Sequence, residues 1–166
     1  MAAADLGWLL RVIDQSYDRK SWHGPNLRGS IRGLDAATAY WRPAPGRHNI
    51  CKIVVHAAYW KYTVRRRLRE EKRGSFPLKG SNWFTRPDPA GERTWEEDVE
   101  LLHAVHRSMR EAVAALRPAE LMRTPRGSTV SNFELLTGIA AHDVYHAGQI
   151  QLLKRLAAGA AAGGAT

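Results

Sequence analysis

The amino-acid sequence predicts an all-α fold, a four-helix bundle with long connecting loops. Three observations favour this class. Apolar residues recur at helical spacing in four long segments, no strand pattern competes convincingly, and proline and glycine gather between the segments. Amphipathic helices of this kind bury their apolar faces against one another. The 166 residues are enough for one domain with a substantial core, which we assign to residues 1–156.

The first half of the chain contains two of the predicted long helices. Residues 5–20 form the first, and residues 26–34 add a short segment before a proline-rich loop. Asn49 is a suitable N-cap for the second long helix, residues 50–72. The apolar positions that keep the helical period are Leu6, Leu9, Leu10, Ile13 and Tyr17 in the first helix and Ile53, Ala57, Trp60, Val64 and Leu68 in the second.

Capping-box patterns open the two predicted long helices of the second half. Thr94 followed by Glu97 starts the third helix. Ser131 followed by Glu134 starts the fourth helix, which runs to Leu156. In such a box, the two side chains bond to backbone N–H groups that the first helical turn leaves unpaired.

Two segments lack helical periodicity. Residues 74–93 contain three prolines and three glycines, and a loop of this length inside a compact domain usually covers or binds something. Trp83 and Phe84 in this loop either cap a pocket or pin the loop onto the bundle. Residues 157–166 are low in complexity and predict a disordered tail.

The most informative residues are three histidines. His142 and His146 are four residues apart on the apolar stripe of the fourth helix, so both rings point toward the core. His56 lies in the apolar segment IVVHAAYW of the second helix. A single core histidine needs only one hydrogen bond, but three inward nitrogen donors suit Zn²⁺, Ni²⁺ or Fe²⁺ and leave a coordination position open. We predict a site for a divalent transition metal.

Other residues are candidates for contact with this site. Gln149 shares the inward stripe, and we expect it to contact the site or a substrate. Tyr145 is its neighbour on the same helix, and Trp83 is the aromatic residue that could cover the pocket. Asp143 lies one residue off the stripe and is expected on the helix surface or as a partner of another helix. The catalytic residues are not identified by the sequence.

The remaining histidines and the single cysteine are assigned no chemistry. His103 and His106 lie beside charged residues on the third helix and are expected at the surface. Cys51 is the only cysteine, so an intrachain disulfide and a cysteine-based zinc cluster are both excluded. Its spacing from His56 points the thiol away from that imidazole, as expected of a core residue.

The chain carries a formal net charge of +9, and much of the excess is local. Basic residues crowd positions 61–73, on the predicted second helix. A basic run on a helix is either a solvated face or an anion-binding surface, and charge alone does not separate substrate carboxylates from nucleic acid. No apolar run approaches the roughly 18 residues of a membrane span, so we expect no membrane partner and a cytoplasmic location. The basic run comprises Lys61, Arg65, Arg66, Arg67, Arg69, Lys72 and Arg73.

Three segments together resemble the DinB-like superfamily, also called DinB/YfiT-like metalloenzymes: SWHGPNLRGSIRGL, WRPAPGRHNICKIVVHAAYWKYTVRRRL and ELLTGIAAHDVYHAGQIQLLKRL. The resemblance covers residues 5–156 in order. It implies a four-helix bundle that binds a divalent metal through His56, His142 and His146. It also implies a homodimer, and relatives include thiol S-transferases that use bacillithiol, mycothiol or glutathione.

The predicted function is therefore that of a metal-dependent enzyme. Its metal would activate a low-molecular-weight thiol, or water, toward a small-molecule electrophile. Two alternatives remain open at this point. One is a basic nucleic-acid-binding protein, against which the sequence shows no helix-turn-helix or zinc-finger signature. The other is a non-catalytic dimer that binds a small ligand and uses the metal as a staple.

Overall fold

The computed structural model describes residues 3–74, 76–87 and 91–163. Within these ranges the chain forms six α-helices and one 3-10 turn, with no strand, which confirms the all-α class. The helices are α1 (Ala3–Tyr17), α2 (Leu27–Ile31), α3 (Ala36–Tyr40), α4 (Ile50–Leu68), α5 (Glu92–Ala114) and α6 (Asn132–Gly163), and the 3-10 turn is Pro118–Glu120.

The four long helices pack against one another as a bundle. Helix α4 contacts both α5 and α6, and α1 contacts the same two helices from the other side. The short helix α2 packs on α6, and α3 packs on α4 and α5. Leu102 of α5 and Ile150 of α6 are buried in the cluster around the first half of α4, while Met109 and Leu136 belong to a second cluster that includes α1. Helices α4 and α6 therefore face each other across a shared core.

The starts of α4 and α6 agree with the capping patterns in the sequence. The Asn49 side chain accepts a hydrogen bond of 2.9 Å from the backbone N–H of Lys52. Ser131 and Glu134 form the expected reciprocal box, with Ser131 N–H donating to Glu134 at 2.8 Å and Glu134 N–H donating to the Ser131 hydroxyl at 3.3 Å. These caps fix the positions at which the two helices begin, and with them the directions of their histidines.

The predicted capping box of the third helix is wrong. Helix α5 begins at Glu92, its N-cap is Gly91, and no side chain caps it. Trp95 is the cause: its buried indole donates to the carbonyl of Leu34 at 2.8 Å, and its backbone N–H bonds to Gly91. Burial of this ring draws the helix start toward the loop, and Glu97 instead accepts from Arg93 at 3.0 Å.

Helix ends differ from the sequence expectation in both directions. Helix α1 ends at Tyr17 and α4 at Leu68, so both are shorter than expected, and Glu70 beyond α4 has a positive φ of 56°. Helix α6 continues through Gly163, so the described part of the segment expected to be a disordered tail is helical. Alanine has the highest helix propensity and dominates this segment. Residues 164–166 lie outside the described residues.

Among the described residues, none of the helices combines the length and the apolar character that crossing a membrane requires.

Candidate metal centre

Helices α4 and α6 bring the three predicted histidines together. Nε2 of His142 lies 3.1 Å from Nε2 of His56 and 3.1 Å from Nε2 of His146. One ligand atom from each ring falls within 4.8 Å of the other two. His56 and His146 are buried and His142 is half-buried. The i, i+4 spacing of one helix and a single inward ring of another therefore converge on one point.

Hydrogen bonds to the outer nitrogens set the tautomers of two rings. His56 Nδ1 donates to the carbonyl oxygen of Asn82 at 2.9 Å, and His146 Nδ1 donates to Oε1 of Gln149 at 2.7 Å. A neutral imidazole has one N–H, so both Nε2 atoms carry a lone pair. Nε2 of His142 can donate to only one of them. Convergent lone pairs of this kind fit a cation, and the donor set fits a divalent transition metal.

The pKa values of all three rings support the same conclusion. Burial lowers the pKa of His142 to about 3, with further lowering from His146 and His56. Burial also lowers the pKa of His146 to about 4, and it lowers the pKa of His56. The three imidazoles are therefore neutral at pH 7, and neutral imidazole is the form that binds a metal. Nδ1 of His142 is buried without a hydrogen-bond partner among the described residues.

The long loop before α5 supplies a contact that the sequence did not reveal. The carbonyl of Asn82 orients His56, and its side chain accepts from the Trp60 indole at 3.0 Å. Asn82 adopts a φ of 63°, a conformation that asparagine tolerates better than most residues. No sequence signal marks this residue, because its role depends on where the loop returns to α4.

The two aromatic residues of this loop have different roles. Trp83 stacks on His56 with ring centres 3.9 Å apart. His48 also stacks on Trp83, with ring centres 3.7 Å apart. Phe84 is only 2% exposed and packs against Tyr59 and Phe76. Trp83 therefore covers one face of the candidate site, while Phe84 pins the loop to the bundle.

A pocket of about 490 Å³ opens beside His146. Gln149 links the histidine to this pocket, because its amide nitrogen donates to the Tyr145 hydroxyl at 3.0 Å. Tyr145 is exposed and lines the pocket. Arg47 is the one charged residue in its described lining. The other lining residues are Pro43, Ala44, His48, Ile53, Trp83, Leu152 and Leu153.

Four further sequence assignments lie away from the triad. Asp143 is buried and pairs with Lys61 of α4, so it is the interhelical partner that the sequence allowed. The same pair corrects the interpretation of Lys61 as part of a solvated face, because its side chain is fully buried. His106 is also buried, not at the surface, because it stacks on Tyr17 at 3.5 Å. His103 is half-buried.

Cys51 is a core residue, as expected. Its thiol is buried and donates to Asp98 at 3.2 Å, and Asp98 also pairs with Arg86 at 2.7 Å. Burial raises the pKa of the Cys51 thiol to about 12. The thiol is therefore protonated at neutral pH and is not a nucleophile.

Fold and site together define an all-helical protein with a candidate three-histidine metal centre. The sequence model of the DinB superfamily matches residues 21–150. This chain belongs to the DinB superfamily. The crystal structure of the conserved protein of locus from Enterococcus faecalis has the same fold, with a TM-score of 0.67 at 17% identity over 96% of this chain and 99% of that chain. No curated protein matches the sequence.

Proposed function

We propose that this protein is a metal-dependent enzyme that activates a low-molecular-weight thiol, or water, toward a small electrophile. The observation that carries the proposal is the ligand set. His56, His142 and His146 form a group of three, and no fourth histidine, cysteine or carboxylate joins it among the described residues. Three protein ligands with an open position are typical of catalytic metal sites, whereas a purely structural site is closed by a fourth protein ligand. This favours catalysis over a metal staple.

If these nitrogens bind a divalent cation, it would supply the Lewis acidity that lowers the pKa of a thiol or water. The protein's own residues orient the ligands. Asn82 and Gln149 each accept an Nδ1–H, so the Nε2 lone pairs of His56 and His146 stay directed at one point. Trp83 covers the outer face of His56 and keeps water from that side.

The pocket beside His146 is the proposed substrate site. Ile53, Leu152 and Leu153 offer an apolar wall, and the Arg47 guanidinium has no ion-pair partner among the described residues. We assign to Arg47 the binding of a carboxylate on the substrate or on the thiol, since guanidinium and carboxylate form paired hydrogen bonds. The Tyr145 hydroxyl accepts from Gln149, so its own proton is free to bond to the substrate.

The test is a screen of bacillithiol, mycothiol and glutathione with small electrophiles, run on metal-loaded and metal-free protein. Thiol consumption is expected only with the metal-loaded form and should stop on chelation. Equal rates in both forms would remove the metal from the mechanism. Turnover without any thiol would assign the site to hydrolysis, and metal binding with no turnover in either assay would favour the staple.

The resemblance to the superfamily also supports a homodimer, which we include in the proposal. Leu156 is an exposed apolar residue of α6 outside the lining of the substrate pocket and would be covered by a second copy. Light scattering during gel filtration should give a dimer mass, and Leu156→Lys should shift the protein toward monomer. A monomer mass for the unaltered protein at about 100 μM would contradict this part of the proposal.

A further inference from the structure

A second pocket, of about 470 Å³, lies between the last turns of α4 and the loop that follows it. Its lining contains four cationic side chains and no carboxylate among the described residues. Aromatic rings of α4 and of the loop form a further part of the wall. The cations are Arg66, Arg67, Arg73 and Lys79, and the rings are Tyr59, Trp60, Tyr62 and Phe76.

The charge in this basic pocket exceeds what the end of a helix requires. A helix C-terminus carries roughly half a negative charge, which favours basic residues in its last turn. Arg66 and Arg67 satisfy that preference, but Arg73 and Lys79 come from the loop. The carboxylates that follow α4 are bound elsewhere: Glu71 accepts from Arg65 at 2.8 Å, and Glu70 pairs with Arg123.

Arg67 is one of the half-buried cations of the basic pocket. Its Nε is buried without a hydrogen-bond partner among the described residues. Burial lowers the pKa of Arg67, and the neighbouring charges of Arg66 and Arg73 lower it further. The like charges of Arg66 and Arg73 destabilise this half-buried guanidinium, and an anion in the pocket would compensate them.

We propose that the basic pocket binds a small anion that carries a phosphate or clustered carboxylates on a flat apolar group. Guanidinium groups bind both kinds of anion through paired hydrogen bonds. The rings of Tyr59 and Phe76 would lie against the flat group. The half-buried position of Arg66 and Arg67, in a concave pocket closed by a loop, favours a small molecule over nucleic acid.

The basic pocket and the histidine centre are lined by different functional residues. None of the three histidines lines the basic pocket, and none of the four cations lines the pocket beside His146. The proposal therefore does not depend on metal binding or on catalysis. Measuring both metal content and anion binding in one set of variants distinguishes failure of one proposal from failure of the other.

The experiment is calorimetric titration of the metal-free protein, so that the probes cannot bind a metal, at about 20 mM salt so that screening is weak, with phenyl phosphate, inorganic phosphate and citrate. Arg67→Gln and Arg73→Gln should each weaken binding at least about tenfold. The control is Arg126→Gln, which removes the same charge from an exposed residue outside the pocket and should leave binding unchanged. Tighter binding of phenyl phosphate than inorganic phosphate identifies phosphate on a flat group, and tightest binding of citrate identifies clustered carboxylates.

Three outcomes would overturn the proposal. Equal weakening in all three variants would mean that only the overall charge attracts anions. If none of the probes binds at concentrations up to about 10 mM, the pocket is not an anion-binding site. Duplex DNA that competes with the probes and binds more tightly would make this face a nucleic-acid surface. Lys79→Gln changes an exposed loop residue and tests the pocket independently if Arg67→Gln does not fold.

Discussion

Helices α4 and α6 bury two polar clusters that differ in how their groups are satisfied. In the histidine triad, His56, His142 and His146 direct nitrogens at one another, and at least two of these carry lone pairs. In the second cluster, Lys61 pairs with Asp143, and the hydroxyl of Tyr17 forms a hydrogen bond with Nδ1 of His103. The second cluster thus neutralises its charges internally, although Oδ1 of Asp143 accepts no hydrogen bond among the described residues, whereas the triad has acceptors in excess.

This difference separates a ligand site from a structural pair. Buried charges cost free energy unless they are paired, so an ion pair between two protein side chains needs no added ion. The Lys61 ammonium also lies 4.9 Å from the centre of the Tyr17 ring, a favourable contact between a cation and an aromatic face. The triad, by contrast, needs a cation to bind its converging lone pairs.

Loss of one histidine from the triad should abolish metal binding. His142→Ala and His146→Ala each leave two protein ligands, which are too few to hold a divalent ion against dilution and dialysis. Elemental analysis of the purified variants should show background metal content. His103→Gln is the control, because His103 belongs to the internally paired cluster and should retain metal. Stoichiometric metal in either alanine variant would refute the ligand assignment.

Breaking the second cluster should reduce stability and leave the triad intact. Lys61→Met leaves Asp143 buried without its partner and should lower the free energy of unfolding by about 3–5 kcal/mol. Urea denaturation measures this loss. The double variant Lys61→Met/Asp143→Leu should recover most of it, because an apolar pair avoids the cost of burying charge. A double variant no more stable than the single one would show that the ion pair itself is needed.

Removing a hydrogen bond from a metal ligand should have an intermediate effect. Gln149→Leu deprives His146 Nδ1 of its acceptor and should weaken metal affinity about 10- to 100-fold. Competition with a chelator of known affinity measures the change. Tyr145→Phe keeps Gln149 and should leave metal affinity nearly unchanged. Equal affinities for the Gln149 variant and the unaltered protein would mean that this hydrogen bond does not orient the ligand.

The last prediction concerns the pH dependence of stability. Burial lowers the pKa of His106 from 6.5 to about 2. The unfolded chain therefore binds a proton below about pH 6.5 that the folded protein does not, so this contribution to stability is present above pH 6.5 and is lost as the pH falls toward 2. His106→Phe keeps the stacking on Tyr17 and should flatten the slope between pH 6 and 4 by up to about 1.4 kcal/mol per pH unit. Urea denaturation of metal-free protein at several pH values provides the measurement, and an unchanged slope would contradict it.

Local patterns predicted much of the fold and the convergence of the histidines. Asn49, Ser131 and Glu134 cap helices within a single turn, so neighbouring residues are sufficient to recognise these starts. The i, i+4 spacing of His142 and His146 also acts within one helix. Thr94 and Glu97 show the limit of this approach, because burial of Trp95 places the helix start elsewhere.

Contacts between distant segments determined the features that local patterns did not predict. Asn82 binds His56 only because the long loop returns to α4, and no neighbouring residue encodes that return. Lys61 and His106 resemble surface residues in sequence, since their charged neighbours are visible and their partners Asp143 and Tyr17 are not. The pairing of a buried ammonium with a buried carboxylate exists only after α4 and α6 meet.

The sequence by itself determined the helical class, the inward face of α6 and the residues able to bind a metal, because helix periodicity places side chains by local geometry. Tertiary structure alone decided which buried polar groups satisfy one another and which do not. That distinction depends on distances between helices and on loop carbonyls, such as the 2.9 Å contact from His56 Nδ1 to Asn82. It separates the paired Lys61 from the histidines whose lone pairs converge on one point.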